Sequence, residues 1–178
     1  MFSSYVENPD NRFEGQDPDE QITLLLRSHP ITNLPWIFWA LVLSFMPFIL
    51  PVVAAALGLS GPTNLPSSYY TAILIINYLL VWIIIFEGFL NWYFNVYILT
   101  NKRVMDITFS SILLKSVDLA PLENVEEADS TTSGLLGTIF NFGDVAIQTA
   151  GAKVAVHMIK VPNPSQVADL VLDKATGK

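Results

Sequence analysis

Side chains able to do chemistry are few in this chain, and they are scattered. Histidine occurs twice, at His29 and His157, with a long apolar stretch between them. A helical zinc site needs two histidines four apart with a glutamate beside the first. A serine hydrolase needs its nucleophile on a sharp Gly-x-Ser-x-Gly turn. Neither pattern is present, and neither is a phosphate-cradling glycine loop of the Walker or dinucleotide type. There is no cysteine, which excludes disulfides, thiolate metal sites and thiolate nucleophiles. Glu123, Glu126, Glu127 and Asp129 invite a Ca²⁺ reading, but they lack the Asp-x-Asp-x-Asp-Gly spacing and fall on an expected strand, so they read as a solvated face. The expectation is a protein with no enzymatic activity, no cofactor and no metal. Three features remain: the basic pair Lys102 and Arg103, the apolar cluster Leu135, Leu136, Ile139, Phe140 and Phe142, and the polar residues Asn77 and Glu87 within apolar sequence.

The elements that position them begin with a gap in charge. From Ser28 to Phe86 the 178-residue chain carries no Asp, Glu, Lys or Arg. Two apolar runs fill the gap, residues 36–59 and 69–86, joined by a short link with Gly61, Pro62, Asn64 and Pro66. As a helix the first run extends about 36 Å, enough to span a bilayer with some tilt. Trp36, Trp39, Tyr69, Tyr70, Trp92 and Tyr93 sit near the ends of the runs, as interfacial aromatics do. Pro47 and Pro51 lie on one helix face and predict a bent anchor. The stretch reads as a transmembrane helical hairpin. Its first run starts too far in, and is too long, for a cleaved signal peptide. Glu87 is expected at the headgroup layer opposite Tyr69 and Tyr70, and Asn77 as an interhelical hydrogen-bond donor. Arg12, Arg27, Lys102 and Arg103 flank the runs, and the connecting link has no cation. The positive-inside rule then places both termini in the cytoplasm of an integral inner-membrane protein.

Ahead of the hairpin lies a polar arm. Asp17 suits an N-cap, Pro18 the first helical position and Glu20 a capping box. These signals predict a short amphipathic helix with Ile22, Leu25 and Leu26 on one face, stopped by Pro30. Arg27 and His29 sit at its C-terminal end.

After Asn95 the period changes to two. Strands are expected around Val96 and Ile98, then after a tight polar turn at Thr100-Asn101-Lys102 at Val104–Ile107, and at residues 110–119, Val125–Thr131, residues 143–149 and residues 153–161, six or seven in all. Residues 133–142 read as a short helical or looped connection. Asn163, Pro164 and Gln166 predict a capped C-terminal helix with Val167, Leu170 and Val171 on its apolar stripe. The expected division is an arm at residues 1–34, a two-helix hairpin at 35–94 and a small all-β domain closed by an α-helix at 95–178.

Five stretches in order carry a resemblance: Tyr97-Ile98-Leu99-Thr100-Asn101-Lys102-Arg103-Val104, Pro121-Leu122-Glu123-Asn124-Val125-Glu126-Glu127, Gly134-Leu135-Leu136-Gly137, Phe140-Asn141-Phe142-Gly143-Asp144-Val145, and Val161-Pro162-Asn163-Pro164. Together they resemble the bacterial pleckstrin-homology-like (PH-like) domain of membrane-flanked proteins, over roughly residues 34–175. The resemblance implies a PH-like split barrel with a C-terminal α-helix, and no particular activity. The expected function is a membrane-anchored interaction or scaffold module that binds a protein partner or associates with itself. The alternative is an adaptor that senses inner-leaflet lipid through Lys102, Arg103 and residues 135–142. An enzyme or transporter subunit is the weakest of the readings. The apolar cluster allows two roles, covering an open barrel end or docking a partner or the leaflet. A net charge of −7 argues against nucleic acid as partner.

Overall fold

The computed structural model describes residues 4–10, 12–13, 15–58, 66–111 and 114–177. The turn expected at Gly61, Pro62 and Asn64 lies outside them. The chain divides into two compact units. One is made of Met1–Thr32 with Asn91–Lys178, the other of Asn33–Leu90.

The second unit is helical. Within it lie α1 (Leu34–Ala56) and most of α2 (Ser67–Phe94), which runs on into the first unit. Both are long and apolar enough to cross a membrane, with mean hydropathies of 2.3 and 2.4. Phe38, Trp39, Phe45 and Trp82 are each more than half exposed. Pro47 and Pro51 both lie inside α1. The helices approach closely where Gly88 of α2 faces the Trp36 indole. A Cβ at position 88 would come within 2.6 Å of that ring, so only glycine allows the contact. Tyr78 Oη donates to the Ser44 carbonyl across the pair. Asn77, expected as an interhelical donor, has its Oδ1 buried without a partner.

The first unit is the β domain. Its strands are β1 (Tyr5–Glu7), β2 (Ile22–Leu26), β3 (Val96–Thr100), β4 (Arg103–Ser111), β5 (Leu114–Pro121), β6 (Val125–Thr131), β7 (Phe142–Thr149) and β8 (Ala152–Pro162). They form two antiparallel sheets that do not close on each other, β1-β2-β3-β4-β5 and β6-β7-β8. A short helix α3 (Gly134–Phe140) links β6 to β7, and α4 (Pro164–Thr176) packs against β6 and β7. The six strands expected after Asn95 and the closing helix are present. The core lies between the sheets and α4, built from Leu24, Leu26, Leu99, Val104, Val145, Ile147, Val156, Met158, Val167 and Val171, all at most 1% exposed.

The expected arm helix is not formed. Ile22–Leu26 is a strand, paired with β3 through Leu24↔Leu99, Leu25↔Ile98 and Leu26↔Tyr97. Leu24 and Leu26 bury fully in the main core, and a register slip places Ile22 in a smaller cluster with Ile98 and Met105. Full burial of each leucine is worth roughly 1.5–3 kcal/mol. That exceeds the few tenths of a kcal/mol separating helix propensities. The cap signals are nevertheless used. The Asp17 N–H donates to Glu20 Oε2 at 3.2 Å, and the Glu20 N–H donates to the Asp17 carbonyl at 3.1 Å. They close a single turn that then feeds a strand. At the other end of the chain Asn163 makes no side-chain cap for α4. It sits in the left-handed region (φ 50°) and accepts on Oδ1 from Nδ2 of Asn141, itself at φ 49°, at 2.8 Å. The Asn163 N–H donates to the Asn141 carbonyl at 2.9 Å.

Since β2 precedes the hairpin and β3 comes after it, the hairpin is inserted between two hydrogen-bonded neighbours of one sheet. The chain leaves and returns within contact distance. Arg27 Nε donates to the Tyr93 carbonyl at 3.1 Å, and Trp92 Nε1 donates to the Ser28 carbonyl at 2.8 Å. This connectivity makes a prediction. Residues 95–178 alone are expected to stay unfolded. Residues 4–32 joined by a short flexible linker to 91–178 are expected to give a soluble, cooperatively unfolding domain. Within that chimera, Leu24→Ala is expected to cost about 2–5 kcal/mol. Chemical denaturation followed by circular dichroism checks all three.

Candidate functional site

The turn between β3 and β4 carries the expected basic pair. Thr100 Oγ1 accepts from the backbone N–H groups of Lys102 and Arg103 at 3.1 and 3.0 Å and donates to Glu20 Oε1 at 2.8 Å. Asn101 reaches the arm through its backbone N–H to Gln21 O, its Nδ2 to Asp19 O, and its Oδ1 from Gln21 N–H. Arg103 grips Glu20 with two donors, Nε to Oε1 at 2.9 Å and Nη2 to Oε2 at 2.7 Å, and Nη2 also reaches Gly15 O at 2.9 Å. The Arg103 guanidinium lies over the Phe13 ring, 5.6 Å from its centroid. Lys102 Nζ pairs with Asp17 at 3.1 Å. The Thr-Asn-Lys-Arg run is thus a clasp holding residues 15–21 onto the sheet.

Glu20 is 3% exposed. The hydrogen bonds from Arg103 lower its pKa to about 2, against the opposing effect of burial, with Thr100 and the Asp17 N–H helping. Arg103 is correspondingly raised by Glu20.

The opposite end of β3 is aromatic. Strands rise about 3.3 Å per residue, so Val96 lies roughly 13 Å from the Thr100 clasp. At this end Arg27 stacks over the Tyr93 ring at 4.9 Å and Phe94 meets Phe109 at 5.4 Å. His29 stacks on Phe142, with centroids 5.4 Å apart and planes 17° apart, and sits 6.4 Å from Phe140. Burial lowers the pKa of His29 and favours its neutral form. The His29 N–H donates to Lys160 O, and Ser28 Oγ donates to Ile159 O, so the arm spans to the second sheet. Tyr97 is buried there. Its Oη accepts the Ile159 N–H at 3.0 Å, and burial raises its pKa.

The apolar cluster sits on α3. Leu135 is 81% exposed, Ile139 69% and Leu136 54%. Phe140 is exposed and Phe142 half-buried. The residue that packs inward is Gly137, whose Cβ would meet the Phe142 carbonyl at 3.0 Å and Thr132 at 3.4 Å. The expected candidates therefore fall apart in space. Lys102 and Arg103 lie at the clasp end, and residues 135–142 at the aromatic end. Glu123, Glu126, Glu127 and Asp129 are all exposed, and among the described residues no group of three acidic or histidine side chains is arranged to hold a metal.

Two features escaped sequence reasoning. Asp106 on β4 is 8% exposed. Its pKa is raised by burial, and it accepts from Thr108 Oγ1 at 2.6 Å and stands opposite Asp118 in the β4–β5 register. Val104 on one face of β4 and Met105 and Ile107 on the other are all apolar, so the pattern does not mark Asp106 as turned inward or outward. The second is a groove of about 310 Å³ between β1 and α4, lined by Glu7, Asn8, Thr23, Gln166, Asp169 and Asp173 among others. Among the described residues no Lys or Arg lines it. Its only sequence signal was the charge on α4.

Two antiparallel sheets packed around a core and closed by a C-terminal helix, with two long apolar helices inserted after the second strand, make the architecture of a PH-like domain. The comparison with known families agrees: residues 31–175 match the bacterial PH domain, and the chain belongs to that family. No curated protein and no solved structure matches it. The match begins after β2, so the strand and the buried glutamate supplied by the arm lie ahead of it.

The clasp predicts a pH response. Glu20 is lowered in the folded state, so its contribution is fully present above the ordinary value of 4.5 and is lost as pH falls toward about 2. Glu20→Gln is expected to flatten that part of the stability profile. Arg103→Met strands a buried carboxylate and is expected to cost about 3–5 kcal/mol at neutral pH. Thermal unfolding of the full chain in mild detergent between pH 2 and 7 reads both effects.

Proposed function

We propose that the chain is a membrane-anchored PH-like interaction module at the cytoplasmic face of the inner membrane, with both termini in the cytoplasm. The observation that carries this reading is the hairpin inserted between paired strands β2 and β3. A domain built that way cannot be released from its anchor by cutting a linker, and its free surfaces stay beside the bilayer. Arg27 just ahead of α1, with Lys102 and Arg103 after α2, supports the orientation by the positive-inside rule.

For a partner, the acidic groove between β1 and α4 offers the best chemistry. Glu7, Asp169 and Asp173 gather negative charge around a concave surface, which suits a basic segment of another protein. The overall charge of −7 disfavours a second copy of this chain at that groove. The reading assigns no catalytic step, no cofactor and no nucleic acid. A headgroup-reading role for Lys102 and Arg103 loses support, because both are held by carboxylates of the arm.

A photo-crosslinking residue at Gln166 in native membranes tests the proposal. A reproducible heterologous adduct is expected, weakened by salt and by Asp169→Lys with Asp173→Lys, while thermal stability stays within about 0.5 kcal/mol as for other surface changes. A chain that yields no adduct, or one indifferent to charge reversal, sinks the reading.

A further inference from the structure

From Ser130 to Gly143 the chain again carries no charged residue, and α3 lies at the centre of that stretch. Its sequence, Gly-Leu-Leu-Gly-Thr-Ile-Phe, has one small inward residue and several large outward ones. Gly137 makes the contact with the start of β7, and the left-handed Gly134 (φ 77°) begins the helix. The packing of α3 onto the start of β7 is therefore achieved by a glycine. Leu135, Leu136 and Ile139 are not needed for it, and they point to solvent. An exposed apolar face of this kind implies an occupant.

The position of α3 within its own unit identifies that occupant. The last residue of α3, Phe140, and the first of β7, Phe142, meet the ring of His29. His29 leads directly into the turn Pro30–Asn33 and then into α1. The neighbouring Ser28 accepts from Trp92, and Arg27 stacks on Tyr93, in the last turn of α2. The C-terminal end of α3 thus adjoins an aromatic rim of Trp92, Tyr93, Phe94 and His29, at the end of the domain where the chain departs for one apolar helix and returns from the other. Trp and Tyr at such places mark the headgroup level of a bilayer. A short helix presenting Leu and Ile beside them, with no charge on either flank, matches the chemistry of an interfacial contact.

We propose that α3 is a third membrane contact, seated in the lipid interface through Leu135, Leu136 and Ile139. The occupant is the acyl–headgroup boundary of the leaflet rather than a protein. The contact is apolar and reads no particular headgroup. It restrains the β domain against the membrane surface. The inference rests on the anchored reading of the hairpin.

The absence of cysteine makes the test direct. Leu135→Cys, Ile139→Cys and a control, Asp173→Cys on α4, are each labelled with an environment-sensitive fluorophore in the full-length chain. The labelled chains are reconstituted in vesicles of phosphatidylethanolamine and phosphatidylglycerol. Probes at 135 and 139 are expected to emit to the blue of the control and to lose most of their emission to nitroxides at shallow acyl positions. They should resist aqueous iodide, which quenches the control. Equal quenching by iodide at all three positions, in a chain that stays with the vesicles through an alkaline wash, overturns the α3 contact and leaves the anchor standing. Shielding from iodide without nitroxide quenching assigns α3 to a protein contact and overturns it as well. Release of the chain by the alkaline wash overturns the anchor itself, and the α3 contact with it. Phosphatidylcholine vesicles should give the same quenching, and loss of it there would overturn the headgroup-independent form of the contact.

Discussion

Glu20 and Arg103 stand on opposite sides of the whole hairpin in sequence, yet two guanidinium donors meet both carboxylate oxygens at 2.7 and 2.9 Å. The carboxylate is buried, so it can remain charged only if this partner is in place. That condition ties the arm to the β3–β4 turn, and the rest of the domain depends on the tie. With Glu20 held, Ile22 to Leu26 run alongside β3, and Leu24 and Leu26 complete a core that β3 to β8 leave open on one side. A discontinuous domain carries a loop-closure cost for the inserted segment, and that cost grows only with the logarithm of loop length. A helical hairpin that folds as its own unit lowers it further by bringing its two ends together.

The domain has two unlike ends. At one, Thr100, Asn101, Lys102 and Arg103 use their polar atoms on residues 15–21, and each cation there faces a carboxylate. At the other, Trp92, Tyr93, Phe94, His29, Phe140 and Phe142 gather around the strands' opposite termini. The family resemblance drew on motifs from both ends, and the geometry shows that these motifs do different work. The Thr-Asn-Lys-Arg run is structural. The Gly-Leu-Leu-Gly run turns its glycine inward and its leucines outward.

Much of this was legible in the residues, and the misses have physical causes. The hairpin is implied by absent charge, and the strands after Asn95 by period two. The arm reads as a helix because Asp17, Pro18 and Glu20 are true cap signals, and the structure does form the hydrogen bond from the Asp17 N–H to Glu20. A cap specifies how a turn begins, while the conformation beyond it depends on where the apolar residues find a partner. Ile22, Leu24 and Leu26 alternate as well as Ile22, Leu25 and Leu26 fit a helix, and only the presence of β3 decides between them. Asn163 shows the same limit. Its type suits a cap, but Asn141 meets it in the left-handed region and takes its side chain.

The sequence by itself determined two apolar helices, a β domain with a closing helix, and the absence of cysteine chemistry. Each is a property of composition or of local period, which no distant contact alters. Tertiary structure alone decided that the first strands of that domain come from before the hairpin, that Lys102 and Arg103 face carboxylates of the arm, that Asp106 is buried, and that α3 turns its leucines outward. Each of these depends on a partner far away in sequence. The strength of a charge pair or a buried leucine is set by the burial that such a partner provides, and burial is not written in the residue itself.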